Sequence, residues 1–181
     1  AYIWYYGGSS FSQQAIVTPS DAAAGGKFGT SVSLDQDGNT LIVGARGAHE
    51  PSNDEGAAYV FTRSGTSWSQ QAKLVSTATQ GSAEFGASVS ISDDGNIAVG
   101  IARRETNSGA GVGSAYVFSR TGSTWALSKK IFGSDAVGGY LGFEPHSMDI
   151  AGNGLTMIAG NHSASSTTGA AYVFTAPEGV T

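Results

Sequence analysis

The sequence repeats itself at a spacing of 57 residues, so the chain must fold as successive copies of one supersecondary unit. Phe28-Gly29 returns as Phe85-Gly86, and Gly38-Asn39 returns as Gly95-Asn96. Ala58-Tyr59-Val60-Phe61 returns as Ala115-Tyr116-Val117-Phe118, and Trp68 returns as Trp125. A third copy keeps Leu141-Gly142, Gly152-Asn153 and Ala171-Tyr172-Val173-Phe174. The first residues also obey the spacing, since Ala1-Tyr2-Ile3-Trp4 stands 57 positions before Ala58-Tyr59-Val60-Phe61. The echo of Phe11-Ser12-Gln13-Gln14-Ala15 in Trp68-Ser69-Gln70-Gln71-Ala72 belongs to the same register. The landmarks divide the chain into a partial unit (1–27), two full units (28–84 and 85–140) and a second partial unit (141–181), read together as a single region.

Inside a unit the apolar residues recur with period two, the period of a strand and not of a helix. A first strand is expected over 29–34, with Val32 and Leu34 on one face and Ser31 and Ser33 on the other. Asp35-Gln36-Asp37-Gly38-Asn39 reads as a tight turn, because Gly38 can take the left-handed conformation. The second strand, 40–45, is apolar on both faces, as a doubly covered strand must be. A third strand over 57–62 and a fourth over 67–75 follow, separated by Arg63-Ser64-Gly65-Thr66. Four short twisted strands cannot bury both faces of their sheet alone, so the copies must stack face to face. Stacking around an axis gives an all-β propeller of four-stranded antiparallel blades. A β-solenoid is the competing architecture, but its coils are usually much shorter.

Composition agrees and excludes several functions. The 27 glycines serve the many turns, and charged residues are only 13% of the chain. A net charge of −5 with no basic run argues against a nucleic-acid partner. Cysteine is absent, which removes disulfides, thiol catalysis and thiolate metal sites. No stretch reaches the roughly 20 apolar residues that span a bilayer. Ala1-Tyr2-Ile3-Trp4-Tyr5-Tyr6 is too short and lacks the basic flank of a signal peptide, so the chain is expected to begin inside a repeat.

Phe28-Gly29, Val43-Gly44-Ala45, Gly56-Ala57-Ala58-Tyr59-Val60-Phe61 and Trp68-Ser69-Gln70-Gln71-Ala72-Lys73-Leu74 together resemble an FG-GAP repeat. The second copy carries the likeness in Phe85-Gly86, Val99-Gly100 and Ser114 to Phe118, and the third in Leu141-Gly142, Ala159-Gly160 and Gly169 to Phe174. The resemblance implies the propeller found in integrin α-subunits and in many secreted or cell-surface proteins. Adhesion, ligand binding and an extracellular location are the expectations it brings.

Two departures from the family qualify those expectations. The family's calcium loop ends in a further carboxylate, where this chain has Leu41; Asp35 and Asp37 remain as candidate metal ligands. Two carboxylates fall short of calcium's six to eight oxygens, so Asp35 to Asn39 is read as a hairpin and no cofactor is expected. The second departure is the count, since just over three units cannot close a ring of four to eight blades. Further blades or self-association are therefore expected partners.

Binding should sit on the long loops rather than on the tight turns that hold the scaffold. The one-two and three-four turns are short, whereas 46–55, 76–84, 102–113 and 161–168 are long and lie at the other end of the blades. Their candidate ligand-binding residues are Arg46, His49, Glu50, Arg103, Arg104, Glu105, Asn107 and His162. Arg103-Arg104 could grip a planar anion such as a carboxylate or sulfate, with solvated loop charges as the alternative. His49, His146 and His162 fall at unrelated points of their units and suggest no metal triad. Glu50 and Glu55 read as solvated rather than as a glycosidase pair, and Gly109 to Gly113 matches a phosphate loop only in composition. Asn161-His162-Ser163 is a glycosylation pattern on an expected exposed loop.

The leading expectation is a non-catalytic extracellular module that binds a protein or glycan through this rim. A structural subunit that assembles with further blades or copies is the second. An accessory region of a secreted carbohydrate-active enzyme is the third.

Overall fold

The computed structural model describes residues 1–49, 55–78, 82–107, 110–111, 113–132, 141, 147–161 and 168–176, and every regular element among them is a β-strand. A two-stranded sheet opens the chain, formed by β1 (Tyr2–Tyr6) and β2 (Phe11–Ile16). The first full blade follows as β3 (Phe28–Leu34), β4 (Thr40–Ala45), β5 (Ala57–Ser64) and β6 (Ser67–Leu74). The second begins with β7 (Phe85–Ile91) and β8 (Ile97–Ala102). A short ribbon of β9 (Thr106–Asn107) and β10 (Ala110–Gly111) interrupts it before β11 (Ser114–Thr121) and β12 (Thr124–Ile131) complete it. The last sheet is β13 (Met148–Ile150), β14 (Thr156–Asn161) and β15 (Ala170–Thr175). Neighbouring strands are antiparallel and in chain order within each blade, so the chain is an incomplete, unclosed β-propeller. The expected strands fall within a residue or two of those observed. The ribbon was not expected, and it occupies part of the glycine-rich stretch that resembles a phosphate loop only in composition.

Strand pairing corrects one element of the repeat. Tyr59 lies opposite Val43, whereas its counterpart Tyr116 lies opposite Gly100. Gly44 therefore corresponds to Ile101, and the Val-Gly pairs of the two blades are one residue out of step. Each glycine answers a different neighbour. A Cβ on Gly44 would strike the Gly86 carbonyl oxygen and the Ser31 hydroxyl, while a Cβ on Gly100 would stand 2.6 Å from the Phe85 ring.

A bulge recurs in β2, β6 and β12, where one residue goes unpaired between Ala15 and Gln13, Ala72 and Gln70, and Lys129 and Leu127. The extra residues are Gln14, Gln71 and Ser128. A bulge re-aims its side chain, and at Gln14 and Gln71 it supplies an inter-blade acceptor. Trp68 Nε1 donates to Gln14 Oε1 at 3.1 Å, and Trp125 Nε1 donates to Gln71 Oε1 at 2.8 Å. That geometry explains the Gln-Gln-Ala echo, each run lying one unit before the tryptophan, Trp68 or Trp125, that it receives.

Three apolar clusters fill the three gaps between successive sheets. In the two full blades the Phe-Gly phenylalanine packs edge-on to its blade's tyrosine, Phe28 to Tyr59 at 5.6 Å and Phe85 to Tyr116 at 5.5 Å. Burial then follows position in the stack rather than residue type. Val89 in β7 is 3% exposed because the preceding blade covers it, while its counterpart Val32 in β3 is 46% exposed behind a two-stranded sheet. At the other end Ile158 is 45% exposed although its counterpart Ile42 is 1% exposed.

The seam between the full blades is a backbone contact. Gly56 forms a parallel bridge to Phe85, whose amide donates to the Glu55 carbonyl at 2.7 Å. Gly86, at a φ of 83°, lies so close to the Ala57 carbonyl that any Cβ would overlap it. Gly113 repeats the contact against Leu141 in the next gap. Gly86→Ala should therefore cost about 3 kcal/mol or more, the left-handed penalty plus the overlap, and lower Tm by about 6 °C or more. Gly65→Ala, in a turn with φ of 61° and open space around it, should cost only about 1 kcal/mol in the same thermal melts. Equal losses for the two variants would contradict this account of the seam.

Candidate functional site

The two ends of the blades carry different chemistry. At the short-turn end, Asp35 Oδ1 accepts from the amides of Asn39 at 2.7 Å and Thr40 at 3.0 Å, closing the hairpin. Asn39 Oδ1 then receives Arg63 Nη2 at 2.9 Å, and that guanidinium lies 6.0 Å from the Trp68 ring. The next blade repeats the set with Ser92 and Asp94 in the turn, Arg120 on Asn96, and Arg120 over Trp125 at 5.5 Å. Burial alone would raise the Asp94 carboxyl, but bonds from Ser92 and Asn96 and the Arg120 charge hold it below its ordinary value. These are the positions where a calcium loop would lie. Asp35 spends an oxygen on two main-chain amides, and Asp37 points to solvent.

At the other end the long loops meet, because the blade seam delivers them to one another. Glu84, just before β7, holds a left-handed φ of 55°, as does its counterpart Lys27 at 52°. Its carboxylate gathers three guanidinium groups: Arg103 Nε directly, Arg46 Nη1 at 3.1 Å and Arg104 Nε at 3.4 Å. Burial pushes the Glu84 carboxyl up, but Arg103, with Arg104 and Arg46 behind it, outweighs burial and holds it below the ordinary value. Arg103 is buried, whereas half of the Arg104 side chain stays in solvent.

A second group forms where each blade's tyrosine reaches the rim. Tyr116 donates its hydroxyl to Glu105 Oε2 at 2.7 Å, and Lys130 Nζ donates to Oε1 at 2.6 Å while lying 5.6 Å from the tyrosine ring. Burial drives the Tyr116 hydroxyl well above its usual range, and the Glu105 carboxylate adds to the shift. In the preceding blade Tyr59 and Lys73 meet Asp21 instead, from the loop between β2 and β3. Burial and then the Asp21 carboxylate raise the Tyr59 hydroxyl to about 12. Burial would lift Asp21, but Lys73 and Tyr59 bring it below its ordinary value. Beside this trio a cleft of about 240 Å³ opens, lined also by His49, Phe28, Ala45, Ala48 and Pro19.

Of the candidate residues, Arg46, Arg103 and Arg104 converge on Glu84, and His49 lines the cleft. Glu105 is a correction: it is 2% exposed and committed to Tyr116 and Lys130, so it presents nothing to solvent. Glu55 is likewise buried rather than solvated. Asn161 is not on an exposed loop but ends β14 opposite Ala170, 5% exposed, a place that cannot carry an oligosaccharide. Asn107 lies on β9, with its side chain outside the described residues; Glu50, His146 and His162 lie outside them altogether. Sequence reasoning missed Glu84, Asp21, Tyr59, Lys73 and Lys130. The tyrosine and the lysines left a signal, since Tyr59 and Tyr116 recur 57 residues apart in the third strand and Lys73 and Lys130 in the fourth.

The family model of the FG-GAP repeat matches residues 11–61 and 68–118. No curated protein is significantly similar in sequence. Among solved structures, the periplasmic gluconolactonase PpgL of Pseudomonas aeruginosa shares the fold with a TM-score of 0.60 at 15% identity. The alignment covers 96% of this chain and 45% of that one, so the chain spans less than half the length of PpgL.

Two measurements check this description of the rim and turns. The ionised Glu84 is favoured in the folded state, so its stabilisation is complete above the ordinary value of 4.5 and is lost as pH falls through the lowered folded value. Glu84→Gln should therefore cost about 1–3 kcal/mol at neutral pH, and the Tm gap to the parent should narrow as pH is lowered below that point. A gap independent of pH would refute the role assigned to its charge. Millimolar calcium or a chelator should leave Tm unchanged, and a clear rise with calcium would overturn the hairpin role of Asp35.

Proposed function

Because the chain belongs to the FG-GAP repeat family, we propose that it is a non-catalytic extracellular module that binds a protein or glycan through its long-loop rim. The observation that carries this reading is the contrast between the two ends. The short turns spend their polar groups closing hairpins, while the rim brings a half-exposed arginine and a lined cleft onto one surface. The extracellular setting follows the company the family keeps.

The protonation states favour binding over acid–base work. Glu84 and Asp21 are held ionised by their partners, and Tyr59 and Tyr116 are held protonated by burial. General acid–base catalysis wants a group poised near the working pH, and these are pushed away from it. PpgL is a gluconolactonase, so hydrolysis of gluconolactone is the activity to assay; turnover above the buffer rate would replace this reading with a catalytic one.

A specific observation also favours assembly. The apolar faces at the two ends of the stack, Val32 and Leu34 at one and Ile158 and Val173 at the other, are uncovered, whereas the matching Val89, Ile91, Ile42 and Val60 of the full blades are buried. Exposed apolar patches of this kind mark protein interfaces. Light scattering should then give a mass above one chain that falls when Leu34 and Val173 are replaced by Asp.

The rim is tested by capture on immobilised glycans and extracellular-matrix proteins. Arg104→Glu should weaken whatever capture the parent shows by about tenfold or more, since a reversed rim charge acts against the partner. The fold should survive, because Arg46 and Arg103 still hold Glu84. Thr66→Glu, at the short-turn end, should have no effect; a loss confined to that variant would move the binding surface to the other face.

A further inference from the structure

The two full blades solve the same electrostatic problem in two ways, and the difference leaves a space. In the second blade the carboxylate between Tyr116 and Lys130 comes from Glu105. Each member has a counterpart 57 residues earlier: Tyr59, Lys73 and, in place of the glutamate, Ala48. The main chain is the same at both places. Ala48 N donates to Ala45 O at 3.0 Å and Ala48 O accepts from Gly56 N at 3.0 Å. Glu105 N donates to Ala102 O at 3.3 Å and Glu105 O accepts from Gly113 N at 3.1 Å. The Cβ of Ala48 thus stands where that of Glu105 stands, and the room taken by a buried carboxyethyl group in one blade is open in the other. The cleft is lined by Ala48, Tyr59 and Lys73.

The missing carboxylate arrives from elsewhere. Asp21 occupies the position of Ala78 in the next unit, so acid and alanine have changed places between the two loops. Asp21 meets Lys73 and Tyr59 from the solvent side, with 43% of its side chain exposed against 3% for Glu105. It satisfies the pair without filling the cavity. With 43% of the Asp21 side chain in solvent, water screens the pair, so exchanging Asp21 for another carboxylate costs little.

We propose that the cleft binds a small carboxylic acid, its carboxylate seated between Tyr59 Oη and Lys73 Nζ as that of Glu105 is seated in the next blade, with Asp21 as the group it displaces. The body of the acid lies against Phe28, Ala45 and Pro19. A uronic acid and a free monocarboxylate share this chemistry. The proposal rests on the reading of the rim as a binding surface and names a ligand class for it.

Isothermal titration calorimetry with glucuronate and with benzoate, and with glucose and benzamide as neutral controls, tests it. At least one acid should bind and both controls should fail; glucuronate alone points to a uronic acid, benzoate alone to a free acid, and either supports the site. Asp21→Asn should tighten binding several-fold by removing the competitor. Ala48→Glu should abolish it by supplying the carboxylate internally, and Lys73→Met should abolish it too, which keeps the test decisive if Ala48→Glu fails to fold by circular dichroism. No heat from either acid with Asp21→Asn, or equal binding by the controls, or binding unchanged in both Ala48→Glu and Lys73→Met, would overturn the proposal. Should those failures coincide with capture that Arg104→Glu still removes, the cleft is wrong and the rim reading stands.

Discussion

Successive blades touch through backbone, and this contact governs the rest of the molecule. Gly56 and Gly86 bring the main chains of neighbouring sheets so close that a Cβ on either would meet a carbonyl. The Phe85 amide donates across the gap to the Glu55 carbonyl, and the Ser31 hydroxyl donates to the Gly86 carbonyl at 3.0 Å. Close approach places the Phe85 ring among Gly100, Tyr116 and Phe118, where side chains of both blades exclude water around it. The seam thus combines a few directional bonds with most of the apolar burial between the full blades.

The same seam builds the rim. Residues on either side of Gly56 and Phe85 are the ends of two different loops, so holding the glycines together also holds Glu84 against arginines from two blades. Those charges could not be gathered on free loops, because ordering three long side chains around one carboxylate costs rotamer entropy that a rigid backbone reduces. Two deliveries of a carboxylate to a tyrosine–lysine pair show how the scaffold tolerates variation in its loops. The strands keep Tyr and Lys in place, and either adjoining loop can provide the acid.

Ends and interior of the stack differ for an equally simple reason. A sheet has two faces, and a blade in the middle has a neighbour for each. Val89 and Val32 are the same residue at the same position, yet one is buried and the other exposed because of what lies beyond them.

Strand positions, the turn at Asp35 and the stacking of repeated units were legible in the sequence, since period-two patterning, Asp-Gly-Asn turns and recurrent landmarks act over a few residues. The register of Gly44 against Gly100, the burial of Glu105 and Asn161, and the role of Glu84 were not. Each depends on a neighbour distant in the chain: the Phe85 ring for Gly100, Tyr116 and Lys130 for Glu105, three arginines for Glu84. Local periodicity determined by itself that this chain forms twisted four-stranded sheets that need partners on both faces. Which polar groups meet was decided only when the sheets stacked, because pairing energy falls steeply with separation and that separation is set by packing between blades, not by spacing along the chain.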